Sequence, residues 1–264
     1  MMHFPKDIKL LFRLIFIPAI LLLVTFLFIE LPPFLGRIVY QNQEVAPPVK
    51  TFGILIPKGF SIHGIDVSKH QGTIDWKRVS LMRNNGFRIT FAFIKATEGV
   101  SRQDNMFQSN WDQSARNGLT RGAYHFYYAS RNADKQADNF IEMVKLTTGD
   151  LPPVVDIEVG NGKSAKKICE GLKIFLGRLE KHYSVKPIIY TNINFYNAYL
   201  KGSMDDYPLW IAGYFDHDRF YTEFETPWIF WQHSERGKVD GIRGNVDFNV
   251  FNGSLDGFNK LKIK

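Results

Sequence analysis

Beyond Phe60 the chain alternates short apolar runs with polar or glycine-containing loops. The runs fall at residues 62–67, 89–95, 122–128, 154–158, 188–191, 209–212, 229–232 and 246–251. Short runs rich in β-branched and aromatic residues, bounded by turn signals, predict strands. Between several of them lie stretches with helical spacing, at 76–84, 103–117, 134–146 and 164–182. Strands alternating with helices predict a mainly parallel sheet, and eight of them predict a closed barrel. Connections among the last three strands are too short for full helices. The expectation is therefore an α/β fold: an irregular TIM-like β/α barrel with eight strands and some helices missing. In such barrels the chemistry sits at the C-terminal ends of the strands.

A different pattern precedes this body. From Leu14 to Ile29 the sequence LIFIPAILLLVTFLFI carries no charge, and with its apolar neighbours it approaches the roughly 20 residues that span a bilayer core. Lys6, Lys9 and Arg13 precede it, with Asp7 as the one acid there. The positive-inside tendency assigns residues 1–9 to the cytoplasm, 10–31 to a transmembrane signal-anchor, and the remainder to the extracytoplasmic (periplasmic or cell-wall) side. A cleaved signal peptide is the competing reading, and it would make the domain secreted. However, a signal peptide's apolar core runs about 7 to 15 residues and is followed by a small-x-small site, whereas Glu30-Leu31-Pro32-Pro33 follows here. Residues 32–59, with Pro47, Pro48 and Pro57, read as an extracytoplasmic linker. Residues 60–264 are expected to form one globular domain.

Composition changes this picture little. The formal charge of +7 attracts polyanions, but no basic run is interleaved with aromatics, so nucleic acid is not the expected partner. Cys169 is the only cysteine, which rules out an intramolecular disulfide and a cysteine metal cluster. His217 and His233 show no tight ligand spacing, so no metal or other cofactor is expected.

The acids carry more information. Asp66 ends the first predicted strand, Asp156 and Glu158 end the fourth, and Asp247 lies in the last. Residues two apart in a strand point to one face, with Cα atoms about 6.6 Å apart at a rise of roughly 3.3 Å each. Val154, Val155 and Ile157 make the surroundings of Asp156 and Glu158 apolar. Two carboxyls in one partly desolvated site cannot both ionise easily, so one pKa should rise. A protonated Glu158 beside an ionised Asp156 would supply what glycoside cleavage requires, an acid for the leaving oxygen and a carboxylate for developing positive charge. If the sheet closes, the first and last strands are neighbours, and Asp66 and Asp247 flank the same cleft.

Seven blocks resemble glycoside hydrolase family 25, the Chalaropsis-type lysozymes. They begin with His63-Gly64-Ile65-Asp66-Val67-Ser68 and its continuation to Trp76, followed by Phe93 to Gly99 and Gly122-Ala123-Tyr124-His125-Phe126. Val155-Asp156-Ile157-Glu158, Leu209-Trp210-Ile211-Ala212, Trp231-Gln232 and Gly244 to Phe251 complete the series in family order. The resemblance implies a lysozyme (N-acetylmuramidase) that hydrolyses the β-1,4 bond between N-acetylmuramic acid and N-acetylglucosamine in peptidoglycan. It implies Glu158 as general acid and later general base, Asp156 assisting by orienting the substrate's acetamido group, and Asp66 and Asp247 as the other site acids. Peptidoglycan glycan strands are the implied partner, besides the membrane. Trp210, Trp231, His125, Tyr124 and Lys95 are the expected substrate contacts, with Lys95 paired to Glu98. The sequence departs from the family at His70, where many members carry an aromatic. A chitinase-like glycosidase and a catalytically silent peptidoglycan-binding module of the same fold are the alternatives.

Overall fold

The computed structural model describes residues 49–264; the membrane-anchor segment expected at 10–31 and most of the expected linker lie outside them. Eight strands form a closed barrel: β1 (His63–Val67), β2 (Phe87–Glu98), β3 (Thr120–Phe126), β4 (Val154–Asp156), β5 (Ile188–Asn192), β6 (Leu209–Ala212), β7 (Phe230–Gly237) and β8 (Val246–Phe251). Each pairs in parallel with the next from β1 through β7. β8 closes the ring antiparallel to both β7 and β1.

Helices α1 (Trp76–Leu81), α2 (Phe107–Arg116), α3 (Ala133–Met143) and α4 (Ala165–Tyr183) follow the first four strands. Three of the four start at side-chain caps, α2 being the exception: Asp75 accepts from the Arg78 amide, Asn132 from that of Lys135 and Ser164 from that of Lys167. After β5 the chain makes only the turns Ile193–Phe195 and Tyr196–Leu200. The short helix α5 (His217–Glu223) fills the β6–β7 connection, a helical element beyond the four expected from spacing. No helix separates β7 from β8.

Strand parity sorts the core into two layers. Phe91, Phe93, Val154, Ile188, Trp210 and Phe230 point into the barrel. Ile65, Ala92, Ile94, Val155, Ile189 and Trp231 point out against the helices. Inside, Phe93 stacks on Trp210 at 4.3 Å, and Phe91 packs on Phe230 at 5.1 Å. Gly64 and Gly122 make room for these rings, since a Cβ on either would collide with Phe91 or Phe93. Phe258 of α6 (Leu255–Leu261) is fully buried against Phe91 and Phe251. Each buried phenylalanine removes apolar area worth about 2–3 kcal/mol from water. This aromatic plug leaves the opposite mouth, at the C-terminal ends of β1 to β7, as the open one.

Part of the stretch expected to be an extended linker is folded. Val49–Thr51 and Ile54–Ile56 form an antiparallel hairpin. Phe52, Ile54 and Ile56 are buried, Phe52 lies 5.1 Å from Phe248, and its carbonyl accepts from the Lys238 amide. The prolines that suggested a tether flank this apolar triplet and leave it free to pack.

Candidate active site

Inward-facing residues one layer above the aromatic plug form a cleft of about 330 Å³, within the size range of ligand sites, about 300–1,000 Å³. Asp66, Asp156, Glu158 and Asp247 all line it, with Lys95, Tyr124 and Trp210. Strand register explains the convergence. Asp66 and Asp247 are directly paired across β1 and β8, and Asp156 pairs with Phe126 on one side and Tyr190 on the other. Asp247 sits near the start of its strand, not at its C-terminal end. It reaches the shared mouth because β8 runs against the other seven.

Asp66 is held in place by amides. Asn249 and Gln232 both donate to its Oδ2, at 2.7 and 2.9 Å. Asn249 in turn accepts from Trp210 Nε1 at 2.8 Å, and Gln232 accepts from the hydroxyls of Tyr190 and Tyr214 at 2.9 and 2.8 Å. Burial raises the Asp66 pKa, while the bonds from Asn249 and Gln232 oppose that rise. Asp247 is raised to about 9, by burial first and then by the charge of Asp66. The facing pair therefore holds a proton near neutrality, as two close carboxyls in a dry site must.

Asp156 and Glu158 differ from expectation in one respect. Both are raised, and Asp156 lies well above the ordinary range, by burial and then by the charge of Glu158. Glu158, only partly buried, is raised by burial against a stabilising bond from Asn192. In the substrate-free protein burial thus favours the protonated form of both carboxyls, and not of Glu158 alone. Lys95 opposes this by favouring the Asp156 carboxylate. Its ammonium bonds Glu98 at 2.8 Å, as expected from sequence. Burial alone would raise Glu98, but bonds from Lys95, Tyr128 and Arg102 bring it down to about 2. Among the described residues no group of three or more His, Cys, Asp or Glu side chains could hold a metal ion.

The model of glycosyl hydrolases family 25 matches residues 65–242. The chain belongs to glycosyl hydrolase family 25. YegX of Escherichia coli (strain K12) is 48% identical to it over 209 residues, covering 79% of this chain and 76% of that protein. Lysozyme M1 of Streptomyces globisporus is 33% identical over 234 residues, 83% of this chain and 76% of that one. The solved structure of a family 25 glycosyl hydrolase from Bacillus anthracis matches with a TM-score of 0.68 at 32% identity, covering 77% of this chain and 94% of that one. The protein is a glycoside hydrolase of the lysozyme type.

Two expected substrate contacts of this family 25 domain lie elsewhere. Trp231 is fully buried outside the barrel, stacked at 4.0 Å on Phe220 with Nε1 donating to the Gly213 carbonyl. His125 is buried in the same outer layer between Thr97, 2.7 Å from Nδ1, and Gln136, 3.3 Å from Nε2. Burial lowers its pKa to about 3, so it is a neutral packing group. Each is one residue away from an inward position, Gln232 or Tyr124, and a shift of one residue along a strand reverses the face.

Several cleft residues had drawn no role from sequence. Tyr190, Tyr214 and Gln232 line the cleft, Asn249 supports Asp66 from behind, and Glu235 enters the cleft at a bulge in β7. Gln232 and Asn249 were within reach, because both share strand parity with assigned residues. Tyr214 and Glu235 sit in a loop and a bulge, where parity does not apply. His70, at the position of departure from the family, also lines the cleft.

Proposed function

We propose that this protein is an N-acetylmuramidase, hydrolysing the β-1,4 bond between N-acetylmuramic acid and N-acetylglucosamine in peptidoglycan. The observation that carries this reading is the meeting of Glu158 and Asp156 with Asp66 and Asp247 at one barrel mouth.

Glu158 serves as general acid and protonates the leaving glycosidic oxygen. Burial raises its pKa and so favours the protonated acid, and a bound sugar, by excluding water from this partly buried carboxyl, raises it further. Asp156 assists by orienting the acetamido group of the substrate, whose carbonyl oxygen attacks the anomeric carbon as the bond breaks. The Lys95 charge favours the carboxylate of Asp156 that accepts the acetamido N–H. Water then opens the cyclic intermediate, with Glu158 now taking a proton as general base. Asp66 and Asp247 line the opposite wall and favour the developing positive charge to the extent that they are ionised. Tyr124 supplies ring surface within the cleft, and the almost wholly buried Trp210 backs it from below.

The same reading carries residues 10–31 as a single-pass anchor in the cytoplasmic membrane, with the catalytic domain on the extracytoplasmic side.

Digestion of purified peptidoglycan by the full chain, beside Glu158→Gln, tests the activity. Mass spectrometry should find new reducing-end muramic acid from the parent alone. Reducing-end glucosamine would make the protein a glucosaminidase. Wall binding without cleavage by the folded parent would make it a binding module.

A further inference from the structure

A second depression adjoins the catalytic cleft. It has a volume of about 510 Å³ and lies between the hairpin at Ile54–Ile56 and the segment from Tyr214 to Asp218. Tyr214 lines both spaces and stands between them. Its ring is 51% exposed while its hydroxyl is tied to Gln232. The hairpin wall precedes the segment matched by the family, which begins at residue 65.

The lining narrows the choice of occupant. Ile54, Leu55, Ile56, Pro57 and Phe215 give the groove an apolar face. A sugar laid along it would leave ring hydroxyls without partners, which is costly. Small aliphatic side chains fit such a face. The charges at the rim are Lys58 and Arg236 against Asp216 and Asp218. Asp216 already accepts from the Arg219 amide as the cap of α5, and Asp218 has an interaction of its own. Arg236 meets only Glu235, at 3.9 Å between side chains that are 80% and 53% exposed, a weak surface pair. The cations are therefore the charges more available to a ligand.

We infer that this groove receives the short peptide that branches from the muramic acid of the substrate, its methyl groups against the hairpin and its carboxylates toward Arg236 and Lys58. The inference rests on the peptidoglycan reading above and extends it from the glycan to the peptide. A peptide joined to the sugar in the cleft is the occupant that would reach this groove past Tyr214, which borders both spaces.

The test compares two substrates prepared from one batch of uncrosslinked glycan strands, half of it stripped of peptide by an amidase. The full chain and a Lys58→Ala/Arg236→Ala double variant are assayed on both for kcat/KM. Both substitutions are at the rim, outside the core. The parent should prefer the peptide-bearing strands by about tenfold, equivalent to about 1.4 kcal/mol, and the double variant should bring that ratio close to one. Equal rates of the parent on both substrates would overturn the peptide groove and leave the muramidase standing. An undiminished preference in the double variant would also overturn it. Failure of the parent to cleave either substrate would remove the muramidase reading and the groove with it.

Discussion

Asp66 and Asp247 face each other across the antiparallel β1–β8 pair, the one place where the barrel reverses direction. Residues directly opposite in such a ladder have Cβ atoms about 4.5–5.5 Å apart, so the two carboxyls share a site. Asp247, ordinarily near 3.8, is held up to about 9. The folded chain thus keeps a proton that the unfolded chain releases between about pH 4 and 9. Stability linked to this group is complete below pH 4 and is lost as pH rises through 9. Asp247→Asn should therefore raise Tm at pH 8, by about 2–4 °C for each kcal/mol relieved, and change it little at pH 4. Calorimetry at the two pH values decides the matter; equal shifts at both would count against a shared proton.

Glu158→Gln keeps the side chain's size and removes its proton. The expected loss in kcat is about 10²–10⁴-fold, the usual contribution of general acid catalysis. Circular dichroism and Tm should match the parent, because Glu158 is only partly buried and bonded to Asn192 alone. Retained turnover in a correctly folded variant would move the acid to another residue.

Asn249 links Trp210 to Asp66 through both ends of its amide. Asn249→Ala leaves the indole N–H without its acceptor and Asp66 with one donor fewer. Each such unsatisfied buried group costs about 1–3 kcal/mol. Urea unfolding should show that loss. With one stabilising bond gone the Asp66 pKa should rise further, which carbon-detected NMR titration of its carboxyl can follow.

The two tryptophans should behave oppositely. Trp231→Phe disturbs only the outer layer against Phe220, so it should lower Tm and leave KM for peptidoglycan fragments near the parent value. Trp210→Phe removes an indole that lines the cleft and bonds Asn249. It should raise KM or lower kcat as well as costing stability. Steady-state kinetics beside thermal melts separates the two, and a KM effect confined to Trp231 would reverse the assignment.

The proposed anchor at residues 10–31 predicts that the full chain stays with the membrane after alkaline carbonate extraction. Protease added to spheroplasts should digest the domain beyond residue 32. Release of an intact domain into the medium would favour the cleaved signal peptide.

The sequence by itself determined where the eight barrel strands lie and which acids sit in or beside them, because both properties are local. Period-two alternation, apolar runs and caps such as Asp75 are written in neighbouring residues, and the ordered blocks from His63 to Phe251 carried the family. The tertiary structure decided what depends on direction and depth. That β8 runs antiparallel, and so turns Asp247 toward Asp66, follows from how the ring closes. Burial raises Asp156 as well as Glu158, and depth of burial is set by the whole barrel. Trp231 and His125 belong to the outer layer because strand parity is read from a register, and register exists only once strands have paired.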